Sequence, residues 1–115
     1  AYLGIEGADL SEEIADVLNL PTGEGALVQS VVPSGPADDA GVRGGRALVR
    51  IGGREFRVGG DIIVEAQGEP VRGMDDVIAA VEAGEPGDEL ELTLLRGDDR
   101  RTVKVTLGNR PARPG

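Results

Sequence analysis

Tyr2-Leu3-Gly4-Ile5, running on through Glu6-Gly7-Ala8, is the stretch around which the chain is organised. Two large apolar side chains flank a glycine, and an alternating segment follows. A glycine at that point lets the backbone approach a ligand with no Cβ in the way. If Ile5 to Ala8 forms an exposed strand, its unpaired N–H and C=O groups are open to a second, extended chain. The loop before it can aim successive N–H groups at a carboxylate, as backbone nests do. The same residues also suit an ordinary strand start, so the remaining sequence must decide.

The 115 residues fit one domain with one main core. Hydrophobic residues make up 39% of the chain, and the only aromatic ones are Tyr2 and Phe56, so the core is aliphatic. The 19 glycines and 7 prolines fall singly or in pairs between apolar runs, which reads as many turns rather than as disorder. A net charge of −9 and a pI near 4.4 give no basic footprint for nucleic acid or anionic lipid, and neither is expected as a partner. No apolar run approaches the roughly 20 residues that span a bilayer. The start inside a patterned segment, with no signal-peptide pattern, suggests a piece of a longer protein. With no cysteine and no histidine, the chain alone cannot build a thiolate nucleophile, a zinc–thiolate site or a Ser-His-Asp triad.

After the opening strand, Asp9 or Ser11 can cap a short helix from Ser11 to Leu18, with Glu12 and Glu13 in its first turn. Leu10, Ile14, Val17 and Leu18 recur on one side. Gly25 to Val32 reads as a strand. Pro33-Ser34-Gly35-Pro36 turns into one helical turn, Pro36 to Ala40, closed by a left-handed Gly41. Two alternating runs, 47–51 and 54–58, flank Gly52-Gly53, a pair suited to a two-residue hairpin turn. Glycine pairs at 44–45 and 59–60 bracket this hairpin, which reads as an insertion (43–60) projecting from the domain. Its Gly52-Gly53-Arg54-Glu55-Phe56 resembles the diguanylate cyclase signature. An arginine occupies the acidic position 54, however, and the cyclase domain around it is missing.

Asp61 to Ala66 is a central apolar strand. Gly73-Met74-Asp75-Asp76 opens a second helix with Met74, Val77, Ile78 and Val81 on one side and Gly84 as its stop. Segments 89–94 and 102–107 alternate cleanly and close the chain as a hairpin turning at Gly97-Asp98-Asp99. Residues 109–115 read as a flexible tail. The expected class is mainly β with two helices (α+β), a small, partly open β-barrel or sandwich whose ends the helices cover.

That order, with these residues, resembles the PDZ domain of HtrA-type, DegP-like bacterial serine proteases, over residues 1–108. Tyr2-Leu3-Gly4-Ile5 is similar to the family's carboxylate-binding loop. Gly25-Ala26-Leu27-Val28, Ser34-Gly35-Pro36-Ala37 and Ala40-Gly41-Val42 match its strand, turn and short helix. Gly60-Asp61-Ile62-Ile63 matches the start of its buried strand, and Gly68-Glu69-Pro70-Val71 with Asp76-Val77 leads into its groove helix. A first strand that begins at the binding loop is the permuted, bacterial arrangement. The hairpin within 43–60 departs from the pattern, and the protease domain expected before residue 1 is not among these residues.

The resemblance implies a non-catalytic, peptide-binding regulatory module. It would take C-terminal or extended apolar segments of substrate proteins by strand addition, in the service of an attached extracytoplasmic protease acting in protein quality control. A partner would lie antiparallel to Ile5, Glu6, Gly7 and Ala8, its carboxylate on the N–H groups of Leu3, Gly4 and Ile5. Its last side chain would enter a pocket of Leu3, Ile5, Val77, Ile78 and Val81, with Tyr2 and Met74 completing the site. Met74 stands where many animal PDZ domains carry a histidine that selects a hydroxyl, so apolar ligand residues are expected. No cofactor is implied. Asp pairs at 38–39, 75–76 and 98–99 suit turns and helix starts, with no calcium-loop spacing. Arg43, Arg46, Arg50, Arg54 and Arg57 concentrate positive charge on the hairpin, as a solvated face or a dock for the parent protease domain or a neighbouring subunit. The alternative function is therefore that of a structural or assembly domain.

Overall fold

A computed structural model describes residues 2–97 and 99–109. Eight strands and three helices follow one another: β1 (Ile5–Asp9), α1 (Glu12–Leu18), β2 (Ala26–Val31), α2 (Pro36–Asp39), β3 (Ala47–Ile51), β4 (Arg54–Val58), β5 (Ile62–Ala66), β6 (Glu69–Pro70), α3 (Met74–Ala83), β7 (Glu89–Arg96) and β8 (Asp99–Thr106). The main sheet runs β1-β2-β5-β7-β8, with β6 paired to β5 outside that path and β3–β4 forming a sheet of their own. The sheet stays open, and the helices lie on its faces rather than at its ends. The expected one-turn helix at Pro36 is the third helix. Asp98 of the expected closing turn and residues 110–115 of the expected tail lie outside the described residues.

The layering follows from side-chain alternation in the central strands. Ala26, Val28 and Ile63 point to one face, where they meet Val77 and Val81 of α3, Ala37 of α2 and the Leu90, Leu92 and Leu94 row of β7. Leu27 and Ile62 point to the other, where they meet Leu10, Ile14, Ile51 and Phe56. The hairpin β3–β4 thus does not project from the domain. Ile51 and Phe56 bury its inner face against α1 and the sheet. Its two-residue turn has positive φ at both Gly52 and Gly53, as its register requires. Val17, expected on the apolar side of α1, is exposed instead.

The hairpin is also tied by its backbone. Pairing of β1 with β2 passes from Glu6–Ser30 to Gly7–Val28, leaving Gln29 as the extra residue of a bulge. Gln29 accepts the N–H of Gly45 on its carbonyl (2.9 Å) and that of Arg57 on its side-chain oxygen (3.0 Å). At the hairpin base, Asp61 is 1% exposed. Its carboxylate takes the Arg43 N–H at 3.0 Å and both Nε and Nη2 of Arg96 at 2.8 Å. The same Nη2 reaches the Gly41 carbonyl at 2.8 Å. Hydrogen bonding to Asp61 raises the Arg96 pKa above its usual value; burial opposes this and the Asp61 charge adds to it. One carboxylate therefore joins β5, β7 and the entrance to the hairpin, and its guanidinium partner closes the turn after α2.

The helix ends show which capping residues act. Ser11 caps α1 through the Ile14 N–H, and Asn19, left-handed at φ 55°, ends it. Asp9 does not cap α1; it accepts the Met74 N–H at 2.7 Å. Gly73, at the N-cap of α3, has no side chain to cap with, so the last residue of β1 supplies the missing acceptor. Gly84 ends α3 in extended rather than left-handed geometry; a Cβ there would collide with the Leu107 side chain. Asp38 and Asp76 take the N–H groups of Ser34 and Arg72, the local roles expected of them.

Replacing Asp61 with alanine is expected to lower the unfolding free energy by about 3 kcal/mol, as for one partner of a buried pair. Urea denaturation measures this, and a loss below about 1 kcal/mol would place the pair among weak surface contacts. Asp9→Ala should cost about 1 kcal/mol and speed amide exchange in the first turn of α3 while leaving α1 protected. Equal exchange in both proteins would remove Asp9 as the cap of α3.

Candidate functional site

The chain enters the sheet through residues 2–4, and the carbonyls of this loop all turn inward. Tyr2 accepts from the Gly108 N–H at 3.1 Å, Leu3 from Ala37 at 3.0 Å and Gly4 from Val32 at 2.9 Å. With the carbonyls committed, the N–H groups of Leu3 and Gly4 have no hydrogen-bond acceptor among the described residues. Gly4 makes the turn at φ +81°, a conformation that strains any residue with a Cβ, and the Tyr2 ring packs against it.

The register of β1 decides where its remaining groups point. Because the Val32 N–H goes to Gly4, Ile5 and Val31 form a non-hydrogen-bonded pair, and the N–H and C=O of Ile5 face away from β2. At the other end Leu10 donates to Gly25 (3.0 Å), so Asp9 and, two residues earlier, Gly7 have the same orientation. β1 is the edge of the sheet, so Ile5 and Gly7 offer a row of backbone donors and acceptors outward. Three N–H groups, those of Leu3, Gly4 and Ile5, follow one another at the head of that row.

Beside this edge runs α3, and between them lies a groove of about 320 Å³. Leu3, Val77 and Val81 are buried and form its floor. Tyr2, Gly4, Ile5 and Met74 line its sides, and Ile78, 47% exposed, stands on its rim. Of the residues named from sequence, Glu6 and Gly7 do not line the groove. Glu6 is exposed and accepts the Ser30 hydroxyl at 3.4 Å. Gly7 lies under Met74, whose sulfur would collide with any Cβ there. At the Met74 end the bond to Asp9 ties helix to strand. Glu82 also lines the groove and was missed from sequence. Its spacing of four from Ile78 was the available signal.

A larger cavity, about 730 Å³, lies on the far side of α3, against β6 and β7. It is bordered by β6, of two residues, where the first groove is bordered by the five-residue edge strand β1. No helix among the described residues is long and apolar enough to cross a membrane.

Comparison with known proteins agrees with this geometry. The PDZ domain family profile matches residues 1–107. The chain is 32% identical over 105 residues to the periplasmic pH-dependent serine endoprotease DegQ of Escherichia coli, covering 91% of this chain and 20% of that protein. It is 28% identical over 110 residues to a probable periplasmic serine endoprotease, DegP-like, of Halomonas elongata, covering 96% and 20%. The chain thus spans about a fifth of the length of these relatives. Among solved structures, the HtrA3 PDZ domain bound to a phage-derived ligand superposes with a TM-score of 0.69 at 24% identity, over 91% of this chain and 82% of that one. The HtrA-type protease AlgW with a decapeptide gives 0.72 at 23%, over 97% and 30%. An open sheet with a helix beside its free edge, and a family match over nearly the whole length, make this chain a member of the PDZ domain family, similar to the PDZ domains of HtrA-type serine proteases.

Proposed function

We propose that the domain binds the C-terminal residues of a partner chain as an added strand between β1 and α3. The observation that carries this reading is the outward row formed by Ile5 and Gly7, headed by the N–H groups of Leu3 and Gly4. A peptide running antiparallel to β1 satisfies that row with main-chain hydrogen bonds. Its carboxylate caps the row, in bonds roughly twice as strong as neutral ones. Its last side chain enters the pocket floored by Leu3, Val77 and Val81, which selects an apolar residue.

Two residues upstream, the ligand meets Gly7 and Met74. The thioether is adaptable and apolar, so it tolerates several shapes and does not select a hydroxyl. Met74 lies over Gly7 and so borders the ligand at this point.

The relatives named as periplasmic serine endoproteases supply the setting. The domain, residues 1–108, serves an attached HtrA-type protease outside the cytoplasm, presenting substrate termini in protein quality control. It performs no cleavage itself, and the 115 residues contain no histidine or cysteine to do so.

Calorimetric titration with apolar C-terminal peptides, each as free acid and as amide, tests the reading. Amidation is expected to weaken binding by at least about tenfold, the cost of losing hydrogen bonds to a charged group. Ile78→Lys should weaken the free acid as well, by placing a charge on the apolar rim. Equal affinity of acid and amide would sink the carboxylate cradle.

A further inference from the structure

Two surface features lie outside the peptide groove, and they are opposite in character. The first is the outer face of the β3–β4 hairpin. Leu48 pairs with Arg57 and Arg50 with Glu55, so these four side chains share the solvent face, and Arg46 continues it by alternation. Leu48 is 62% exposed at the centre of this face. Residues 43–60 hold five arginines and one glutamate, an excess of four positive charges in a chain of net charge −9, which leaves −13 for the remainder. Arg50 is paired with Glu55 at 3.3 Å. The side chains of Arg46 and Arg57 have no ion pair or hydrogen bond among the described residues.

The second is the 730 Å³ cavity behind α3. Ala66, Val71, Leu90 and Leu107 give it a buried apolar floor. The side chains of Glu69 and Glu89 stand exposed at its margin with no hydrogen-bond partner among the described residues, and no lysine or arginine lines it. Asp76 and Asp88 add negative charge while taking the N–H groups of Arg72 and Glu85.

These features sit on opposite faces of the sheet. The cavity belongs to the face of Ala66, Leu90 and Leu107, and the hairpin covers the face of Leu27 and Ile62. A hairpin cannot reach its own cavity, but it can reach that of another copy. We propose that the β3–β4 hairpin of one copy docks in the acidic cavity of a second copy. Leu48 enters the apolar floor, and Arg46 and Arg57 face Glu69 and Glu89. The contact is heterologous, hairpin to cavity, so it propagates head to tail instead of closing as a two-fold dimer. It uses no residue of the peptide groove and stands or falls independently of the peptide reading. Two five-residue strands bury less than the roughly 1,000 Å² of a stable interface. The association of free domains is therefore weak, and tethering copies in one assembly strengthens it.

Sedimentation of the whole 115-residue chain is the test. At low ionic strength the sedimentation coefficient should rise with protein concentration, and the rise should vanish near 0.5 M salt, where screening acts within about 4 Å. A hairpin variant (Arg46→Ser, Leu48→Ser, Arg57→Ser) and a cavity variant (Glu69→Lys, Glu89→Lys) should each remain monomeric. Mixed, they should form 1:1 dimers and nothing larger, since one contributes an intact cavity and the other an intact hairpin. Arg101→Ser with Lys104→Ser, which removes the same two charges elsewhere, should leave association unchanged. Circular dichroism confirms that each variant is folded. A monomeric wild-type chain at every concentration, association that survives in either variant, loss in the charge control, or a mixture that stays monomeric would overturn the proposal.

Discussion

Strands β2 and β5 are apolar on both faces, and the rest of the architecture answers that fact. Leu27 and Ile62 have to be covered as thoroughly as Val28 and Ile63, so one layer of helices is not enough. α2 and α3 cover one side. On the other, α1 is only seven residues long, and Phe56 and Ile51 of the hairpin complete the cover. The hairpin is thus part of the core, whatever its outer face contacts. Burying Phe56 alone contributes on the order of 2 kcal/mol.

The cover leaves the two end strands of the sheet, β1 and β8, as its edges. α3 lies beside β1 without pairing with its backbone. A bare strand edge is normally a hazard. Here the helix shields it, and the single bond from Met74 to Asp9 sets how closely helix and strand approach at one end. At the other end Tyr2 and Val81 line the groove, beside the N–H cradle.

Most of the fold was legible because its signals were local. The Gly52-Gly53 turn, the Pro36 helix, the Gly41 closure and the alternation of β7 and β8 each depend on a few adjacent residues, and each formed. The loop of Tyr2-Leu3-Gly4-Ile5 leading into an edge strand was legible for the same reason. Interactions between distant residues were not. Asp9 reads as an ordinary cap for the helix that follows it, and only the fold brings it to a helix 65 positions away. The hairpin looked detachable because its flanking glycines are a local signal, whereas the burial of Phe56 in one cluster with Ile14 and Leu27 is not. Gly84 looked like a conformational stop; its real constraint is the Leu107 side chain beneath it. Glu6 and Gly7 carried the strand alternation but not the groove, because Met74 occupies the space above Gly7.

Gln29 serves two neighbours at once. It is the surplus residue in the pairing of β2 with the edge strand, and it is also the anchor that holds Gly45 and Arg57 of the hairpin. Removing one residue here would straighten the ladder and cut the hairpin loose in a single step. Adding one would misalign both. A chain of this kind is constrained against length variation at that point. The bulge and the hairpin are thus coupled, and loss of either uncovers Leu27 unless something else covers it.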